Sequence, residues 1–223
     1  MRKLIESFDV FVFDLDNTLV ETNFNYIYNL IKKTINNLGG IIPDQILAQA
    51  FWYAEKNREE CIENNFHLSS SEFWKLFRKY DFPEKRVKYT KVIKGVDEVL
   101  QSLNEKGKEL AIITNTTPLI AIAEVRMLEI EMKFTKDNVL ATGDNPNYDS
   151  KPHRHCLDCL KEVVFNNQDN FVYIGDSHED ALFSQNAKTP FVHFNINNSV
   201  LPANLEALTS FNNWQQFFEL LIK

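Results

Sequence analysis

Three features are scarce in this 223-residue chain: cysteine, long apolar runs and positive charge. Its three cysteines are an odd and small number, which favours free thiols in a reducing compartment over a disulfide framework. No apolar run approaches the roughly 18 residues that a membrane span requires. With 24 Lys and Arg against 31 Asp and Glu, the chain has no basic field to hold a polyanion. We therefore expect a cytoplasmic protein that binds neither nucleic acid nor membrane.

The residues that are present suit an ordinary globular protein. Hydrophobic residues make up 44% of the chain and charged residues 25%. Short runs rich in Val, Ile and Phe alternate with stretches of helical periodicity, a pattern typical of parallel strands joined by crossover helices. We predict strands at 9–14, 109–114, 138–141, 171–175 and 191–194. Their nearly continuous apolar character predicts a doubly wound, Rossmann-like parallel sheet in an α/β core.

The interval between the first two predicted strands has a different pattern. Residues 23–89 contain no convincing strand but have amphipathic runs near 23–37, 44–60 and 70–80. We predict an inserted α-helical cap at 21–90, and a catalytic core made of 1–20 and 91–223. Most of the many aromatic residues in the insert are expected to form the core of a small helical bundle.

Polar residues follow the predicted strands at their carboxyl ends, the edge where open parallel sheets bind ligands. Three of these strands end in or just before such residues. The first strand leads into Asp14 and Asp16, the second into Thr114 and Asn115, and the fourth into Asp176 and Asp180. Lys151 lies in the segment between the third and fourth predicted strands. Any one of these short patterns alone could be a turn or a helix cap, but their joint order favours a site.

The charges at this edge require compensation. Asp14 and Asp16 are two residues apart, and two carboxylates about 4 Å apart repel by about 4 kcal/mol at an effective dielectric near 20. Asp176 and Asp180 add further negative charge, and carboxylates are the ligands that Mg²⁺ favours. Since a divalent cation and Lys151 neutralise only part of this charge around a phosphate, one aspartate should retain a proton, as a general acid must.

A second cluster of possible metal ligands lies just after Lys151. It consists of His153, His155, Cys156 and Cys159. No second ligand pair follows at zinc-finger spacing, and Pro152 is typical of the first turn of a helix. We therefore favour packing and solvent exposure over a zinc site for these residues.

The residues of this predicted site closely resemble the four motifs of the haloacid dehalogenase superfamily, most of whose members are phosphatases. Residues 11–19 are similar to motif one and residues 111–115 to motif two. Residues 150–152 resemble motif three, and 173–177 with Asp180 resemble motif four. The resemblance covers almost the whole predicted core, and it is to the branch with a helical cap between motifs one and two, the phosphoglycolate phosphatase and β-phosphoglucomutase group.

The resemblance implies a role for each residue that meets the substrate. Asp14 would be the nucleophile that forms an aspartyl-phosphate. Asp16 would protonate the leaving alcohol and then deprotonate the water that hydrolyses the intermediate. Thr114 would donate a hydrogen bond to the phosphoryl group, the backbone amide of Asn115 would be a secondary phosphate contact, and Lys151 would neutralise charge on nucleophile and phosphate.

The resemblance also implies a Mg²⁺ cofactor and a small phosphorylated metabolite as substrate. Asp176, the side chain of Asp14 and the backbone carbonyl of Asp16 would hold the ion, and Asp180 would orient this set of ligands. Dehalogenases and phosphonate-cleaving relatives typically lack the aspartate at position 16, so its presence favours phosphate-ester hydrolysis. A phosphomutase of the β-phosphoglucomutase type remains an alternative. A catalytically silent binding protein on the same fold is disfavoured because every chemical position is present.

Overall fold

The computed structural model describes residues 4–55, 57–129, 131–135, 137–165, 170–196 and 201–222. The chain divides into two units, one made of Met1–Glu21 with Val92–Lys223 and the other of Thr22–Lys91. These bounds lie one residue from those drawn on the sequence. None of the helices in the described ranges has the length and apolarity needed to cross a membrane.

A six-stranded parallel sheet forms the centre of the first unit. In chain order the strands are β1 (Val10–Phe13), β2 (Val20–Thr22), β3 (Thr90–Val92), β4 (Glu109–Thr114), β5 (Val139–Ala141), β6 (Phe171–Gly175), β7 (Phe191–Phe194) and β8 (Thr209–Phe211). The sheet order is β5-β4-β1-β6-β7-β8, while β2 and β3 pair separately. All five predicted strands are confirmed, and the doubly wound α/β fold with them. β4 and β6 lie on opposite sides of β1, which places a crevice at the carboxyl end of β1.

Both faces of the sheet are covered by apolar side chains. Successive residues of a strand point to opposite faces, and β1 shows this directly. Phe11 and Phe13 pack into one buried cluster, which also contains Trp214, whereas Val10 and Val12 pack into the other. All four residues of β1 are fully buried. This two-sided burial explains why the strands are continuously apolar rather than alternating.

Eleven helices are found among the described residues. They are α1 (Leu4–Ser7), α2 (Phe24–Leu38), α3 (Gln45–Trp52), α4 (Arg58–Asn64), α5 (Ser70–Tyr80), α6 (Pro83–Arg86), α7 (Val96–Glu105), α8 (Pro118–Val125), α9 (His155–Cys159), α10 (His178–Asn186) and α11 (Trp214–Ile222). Short 3₁₀ turns lie at Val87–Tyr89 and Glu131–Lys133, and a π-turn at Leu160–Val164 continues α9. The prediction of one helical run at 44–60 is wrong, because these residues belong to two helices, α3 and α4. Ala54 between them adopts a positive φ, and the Asn57 side chain caps the second helix.

The second unit contains α2 to α6 and has an aromatic core of its own. Phe51, Phe66, Phe73 and Phe77 are buried together, as the aromatic content of the insert predicts. A buried ion pair lies beside this core. The Asp81 carboxylate accepts hydrogen bonds from Tyr26 Oη at 2.9 Å and from Arg86 at 2.7 Å. The helical unit therefore combines an apolar centre with a buried ion pair.

Candidate active site

The carboxyl end of β1 delivers Asp14 to the sheet edge. Its amide donates to the carbonyl of Ile174 at 2.8 Å, which prolongs the pairing of β1 with β6 by one residue. The chain then turns sharply, with the amide of Leu19 donating to the carbonyl of Leu15 at 2.9 Å. Asn17 takes a φ of 62°, a left-handed conformation that Asn tolerates better than most residues. The turn leaves the Asp14 side chain buried at the end of its strand.

Lys151 joins two of the predicted acidic residues. Its Nζ donates to Oδ1 of Asp14 at 2.6 Å and to Oδ1 of Asp180 at 2.7 Å. A third hydrogen bond, of 3.1 Å, goes to the hydroxyl of Tyr173. An ammonium group has three N–H donors, so all of them are used, and the lysine is only 5% exposed. One buried positive charge therefore lies between two carboxylates.

Asp180 is held by its own helix as well as by Lys151. It is the third residue of α10, where its Oδ2 accepts from the amide and the hydroxyl of Ser177 in a capping box. Its Oδ1 accepts from Lys151 and from Tyr173. Gly175 makes room for this arrangement, because a Cβ there would lie 2.5 Å from Cγ of Asp180. Four hydrogen bonds thus occupy both oxygens of this carboxylate.

Asp176 lies beside these two carboxylates. Asp14, Asp176 and Asp180 each offer an oxygen, and these atoms all lie within 4.8 Å of one another. The backbone of Asp176 is fixed from β7, where His193 Nε2 lies 3.3 Å from its carbonyl oxygen. Since a carbonyl only accepts, Nε2 carries the proton. The Asp16 side chain is half-buried and does not belong to this three-carboxylate group.

Thr114 is the last residue of β4, and Asn115 follows it at the same sheet edge. Thr114 is nearly fully buried, and its hydroxyl accepts from the amide of Thr116 at 3.2 Å. Asn115 does not extend into open space, since its side-chain amide contacts the backbone of Lys151. The structure thus brings residues from β1, β4, β6 and the Lys151 segment together, as their order along the chain predicts.

The electrostatics follow from one positive charge serving two carboxylates. Burial raises the pKa of Asp14 to about 7, against the lowering effect of Lys151, and the neighbouring charge of Asp180 adds to the rise. Burial also opposes ionisation of Asp180, but the charge of Lys151 with hydrogen bonds from Lys151, Ser177 and Tyr173 leaves its pKa below the ordinary value. The pKa of Lys151 is raised well above its usual value, since Asp14 and Asp180 outweigh its burial. Of these two carboxyl groups, Asp14 therefore takes up a proton more readily than Asp180.

The donor set fits a hard divalent cation. Mg²⁺ prefers oxygen ligands and is usually held by one or two carboxylates together with water and substrate oxygens. Asp14 and Asp176 supply such carboxylates, and the group as a whole has three carboxylates beside the single ammonium of Lys151. The two oxygens of Asp180 are occupied by hydrogen bonds, which makes this residue an anchor for Lys151.

Two expectations for the segment after Lys151 have definite outcomes. Pro152 does not begin a helix, because α9 starts at His155 and residues 151–154 form turns. That prediction is wrong. Cys156 is buried with its thiol 3.6 Å from the carbonyl of Asp149, and His153 is exposed beside the same aspartate. Both residues have partners in this segment, as packing and solvent exposure predict for them.

Several residues of the site carry no signal in the sequence. Tyr173 is an apolar-looking member of a buried strand, yet its hydroxyl contacts both Lys151 and Asp180. Trp214 is the first residue of α11, and its indole N–H donates to the carbonyl of Thr18 at 3.1 Å. The one hint for Tyr173 is its place in β6, among the residues that resemble motif four.

The chain is similar to known hydrolases over most of its length. A model described as haloacid dehalogenase-like hydrolase matches residues 11–194. Pyrophosphatase PpaX of Halalkalibacterium halodurans is 25% identical over 195 residues, covering 83% of each chain. Phosphoglycolate phosphatase of Aquifex aeolicus is 24% identical over 182 residues, covering 81% of each chain. A crystal structure described as a predicted phosphoglycolate phosphatase from Haemophilus somnus has a TM-score of 0.74 at 18% identity, with 96% of this chain and 98% of that one covered.

Proposed function

Because the chain belongs to the haloacid dehalogenase-like hydrolase family, we propose that it is a Mg²⁺-dependent phosphohydrolase that forms an aspartyl-phosphate on Asp14. The observation that carries this proposal is the buried Nζ of Lys151, which contacts both Asp14 and Asp180 beside Asp176. Phosphoryl transfer needs little more than a positioned nucleophile and compensation of charge. The carboxyl edge of the sheet offers both.

In the first half-reaction, an Asp14 carboxylate oxygen attacks the substrate phosphorus and the bond from phosphorus to the leaving oxygen breaks. Asp16 gives its proton to that oxygen, so the product leaves as an alcohol. Lys151 offsets the negative charge on Asp14 and on the phosphoryl oxygens, and the Thr114 hydroxyl donates a hydrogen bond to one of them. The residue left behind is phosphorylated Asp14.

In the second half-reaction, water attacks the phosphorus and the bond to Asp14 breaks. Asp16, now ionised, accepts a proton from this water, which returns both aspartates to their starting states and releases inorganic phosphate. The carboxylates of Asp14 and Asp176, with the carbonyl of Asp16 that the family resemblance implies, would hold Mg²⁺, which when bound offsets charge on the transferring phosphoryl group. Asp180 keeps Lys151 in reach through the hydrogen bond described above.

For the substrate we propose a small phosphorylated metabolite. Two curated relatives are named for phosphoglycolate and for pyrophosphate, so these two compounds are the first to test. We propose that the helical unit selects the leaving group, the role its insertion between motifs one and two implies. The free thiols of Cys61, Cys156 and Cys159 support a cytoplasmic location.

The test measures phosphate release from a panel of phosphomonoesters and from pyrophosphate, with Mg²⁺ and with EDTA. We expect release that needs Mg²⁺, that is lost in Asp14→Asn, and that leaves a phosphoryl group on the Asp14 peptide detectable by mass spectrometry after acid quench. Asp9→Asn is the matched control, because Asp9 precedes β1 with an exposed side chain. Isomerisation of a sugar phosphate without net release would instead favour the mutase, and no turnover by folded protein would favour a binding protein.

A further inference from the structure

The side chain of Asn115 binds both polar groups of one backbone residue. Its Nδ2 donates to the carbonyl oxygen of Lys151 at 3.1 Å, and its Oδ1 accepts from the amide of Lys151 at 2.8 Å. A side-chain amide thereby replaces the strand partner that a backbone segment has in a sheet. The two residues are 36 positions apart in the chain, so this contact joins the end of β4 to the lysine segment.

Chemistry fixes the orientation of this amide. A backbone N–H can only donate and a carbonyl can only accept, so Oδ1 must face the amide of Lys151 and Nδ2 its carbonyl. The hydroxyl of Thr142 donates to the same Oδ1 at 2.9 Å. Only one N–H of Asn115 is then left for any other partner. The side chain is committed to the protein rather than available to a substrate.

The backbone around Asn115 is held in turn by the end of β5. The amide of Thr142 donates to the carbonyl of Thr114, and that of Gly143 to the carbonyl of Thr116, each at 2.9 Å. Gly143 permits this close approach, because a Cβ there would lie 2.8 Å from the carbonyl oxygen of Asn115. Asn115 is thus supported by two neighbouring strand ends and offers a rigid base for the lysine segment.

We propose that Asn115 is a positioning residue, which sets the place of the Lys151 ammonium by holding the Lys151 backbone. The ammonium contacts Asp14 at 2.6 Å and Asp180 at 2.7 Å at the same time, so movement of the backbone that carries it works against both contacts. This role of the Asn115 side chain is separate from the phosphate contact that the resemblance implies for its backbone amide. Its consequence for catalysis rests on the proposed function of Lys151, whereas its consequence for the position of Lys151 does not.

The test therefore begins without substrate. An amine-reactive reagent is added to the folded protein, and mass spectrometry follows the labelling rate of Lys151 relative to other lysines. In the wild type we expect slow labelling of this buried, hydrogen-bonded ammonium. Asn115→Ala should raise the rate roughly threefold or more, because local opening around a loosened segment becomes more frequent. Thr142→Val removes the donor to Oδ1, together with a 3.1 Å contact to the hydroxyl of Ser150, but keeps both Asn115 hydrogen bonds to Lys151. It should give a smaller rise and serves if Asn115→Ala fails to fold.

Asn138→Ala is the matched control. Asn138 also makes two side-chain hydrogen bonds to backbone carbonyls, those of Leu110 and Lys133, but it precedes β5 at the opposite end of the sheet. Its substitution should leave Lys151 labelling at the wild-type rate. If Asn115→Ala and Thr142→Val also leave that rate unchanged, the positioning role is wrong, whatever the enzyme acts on.

Kinetic measurements with a substrate that the enzyme turns over distinguish a positioning role of Asn115 from a direct contact with the substrate. Misplacement of a reacting group by about 1 Å can cost roughly 100-fold in rate, so Asn115→Ala should lower kcat by roughly 10- to 100-fold with little change in KM. A raised KM with unchanged kcat would instead make Asn115 a substrate contact and overturn the proposal. Absence of any activity in the wild type would contradict the proposed function alone, since the labelling result stands without it.

Discussion

The Nζ atom of Lys151 donates a 2.6 Å hydrogen bond to Oδ1 of Asp14, a residue 137 positions earlier in the chain. Both side chains are buried, with 4% and 7% of their surfaces exposed. Because Lys151 also faces Asp180, this contact belongs to a group of one positive and two potential negative charges. The balance of charge among Lys151, Asp14 and Asp180 determines how the stability of the protein responds to substitution, pH and metal binding.

Replacing Lys151 with Met should be strongly destabilising at alkaline pH. Removal of one partner from a buried ion pair typically costs about 3 to 5 kcal/mol, because the remaining charge loses its compensation. The loss should be smaller near about pH 5, where Asp14 can take up a proton and repel Asp180 less. Urea denaturation at the two pH values measures both effects.

Lys108→Met is the control for that substitution. Lys108 lies 3.6 Å from the exposed carboxylate of Asp9, and such a surface pair is worth about 1 kcal/mol or less. Equal losses of stability in the Lys151 and Lys108 variants would show that the buried charge group does not hold the sheet edge together.

Asp14 should make the metal-free protein less stable as pH rises. Its pKa is raised to about 7 in the folded protein from 3.8, so between these values the folded state binds more protons than the unfolded state. The free energy of unfolding then falls with rising pH. Asp14→Asn cannot ionise, and we expect the stability of the wild type relative to this variant to fall between about pH 4 and about pH 7 in EDTA.

This comparison isolates Asp14 from other titrating groups. Burial lowers the pKa of His193, which has the opposite effect on the slope, but His193 is present in both proteins and cancels in the difference. A difference in unfolding free energy that stays constant over this range, or that grows with pH, would contradict the raised pKa of Asp14.

Metal binding gives a third prediction. A cation that binds only the folded protein stabilises it by about 2.7 kcal/mol at about 100 times its Kd. Mg²⁺ should therefore raise the Tm of the wild type, and Asp176→Asn should abolish most of that rise. Asp9→Asn, outside the three-carboxylate group, should keep it. An equal Tm rise in all three proteins would point to a site other than this one.

The sequence predicts the strands and the acidic residues well, for one physical reason. Buried parallel strands are continuously apolar, and side chains that follow them must meet at one edge of the sheet. β4, β6 and β7 accordingly have the bounds that the sequence predicts for them. The closeness of Asp14 to Asp180 follows from topology alone, without knowledge of any side-chain contact.

The contacts that complete the site depend on long-range geometry that no local pattern contains. The position of Asn115 after Thr114 predicts a contact from its backbone amide to phosphate, but it does not indicate that its side chain binds the backbone of Lys151. Pro152 looks like a helix start, yet the backbone just before it is tied to Asn115, so α9 begins three residues later. Tyr173 lies in an apolar strand, and only the fold shows that its hydroxyl meets Lys151.

The helical unit offers a separate test of a buried charge. Asp81 accepts hydrogen bonds from Tyr26 and Arg86, and the side chains of the ion pair are only 1% and 3% exposed. Asp81→Ala removes the carboxylate from this pair and should destabilise residues 22–91 by about 3 to 5 kcal/mol. Hydrogen exchange should show faster opening of α2 and α5, whereas Glu84→Ala, at an exposed position, should not. Equal exchange in the two variants would contradict this role of Asp81.

Trp214 connects the C-terminal helix to the turn that carries Asp14. Its indole N–H donates to the carbonyl of Thr18, and its ring packs 6.1 Å from that of Phe13. Trp214→Phe keeps an aromatic ring but removes the donor, which should cost about 1 kcal/mol and speed hydrogen exchange in residues 14–20. Phe217→Leu alters packing in the same helix without touching this hydrogen bond. It should lower the stability of the protein, but it should not speed hydrogen exchange in residues 14–20 beyond what that loss of stability accounts for. If both variants changed the turn equally, packing alone would hold Asp14 in place.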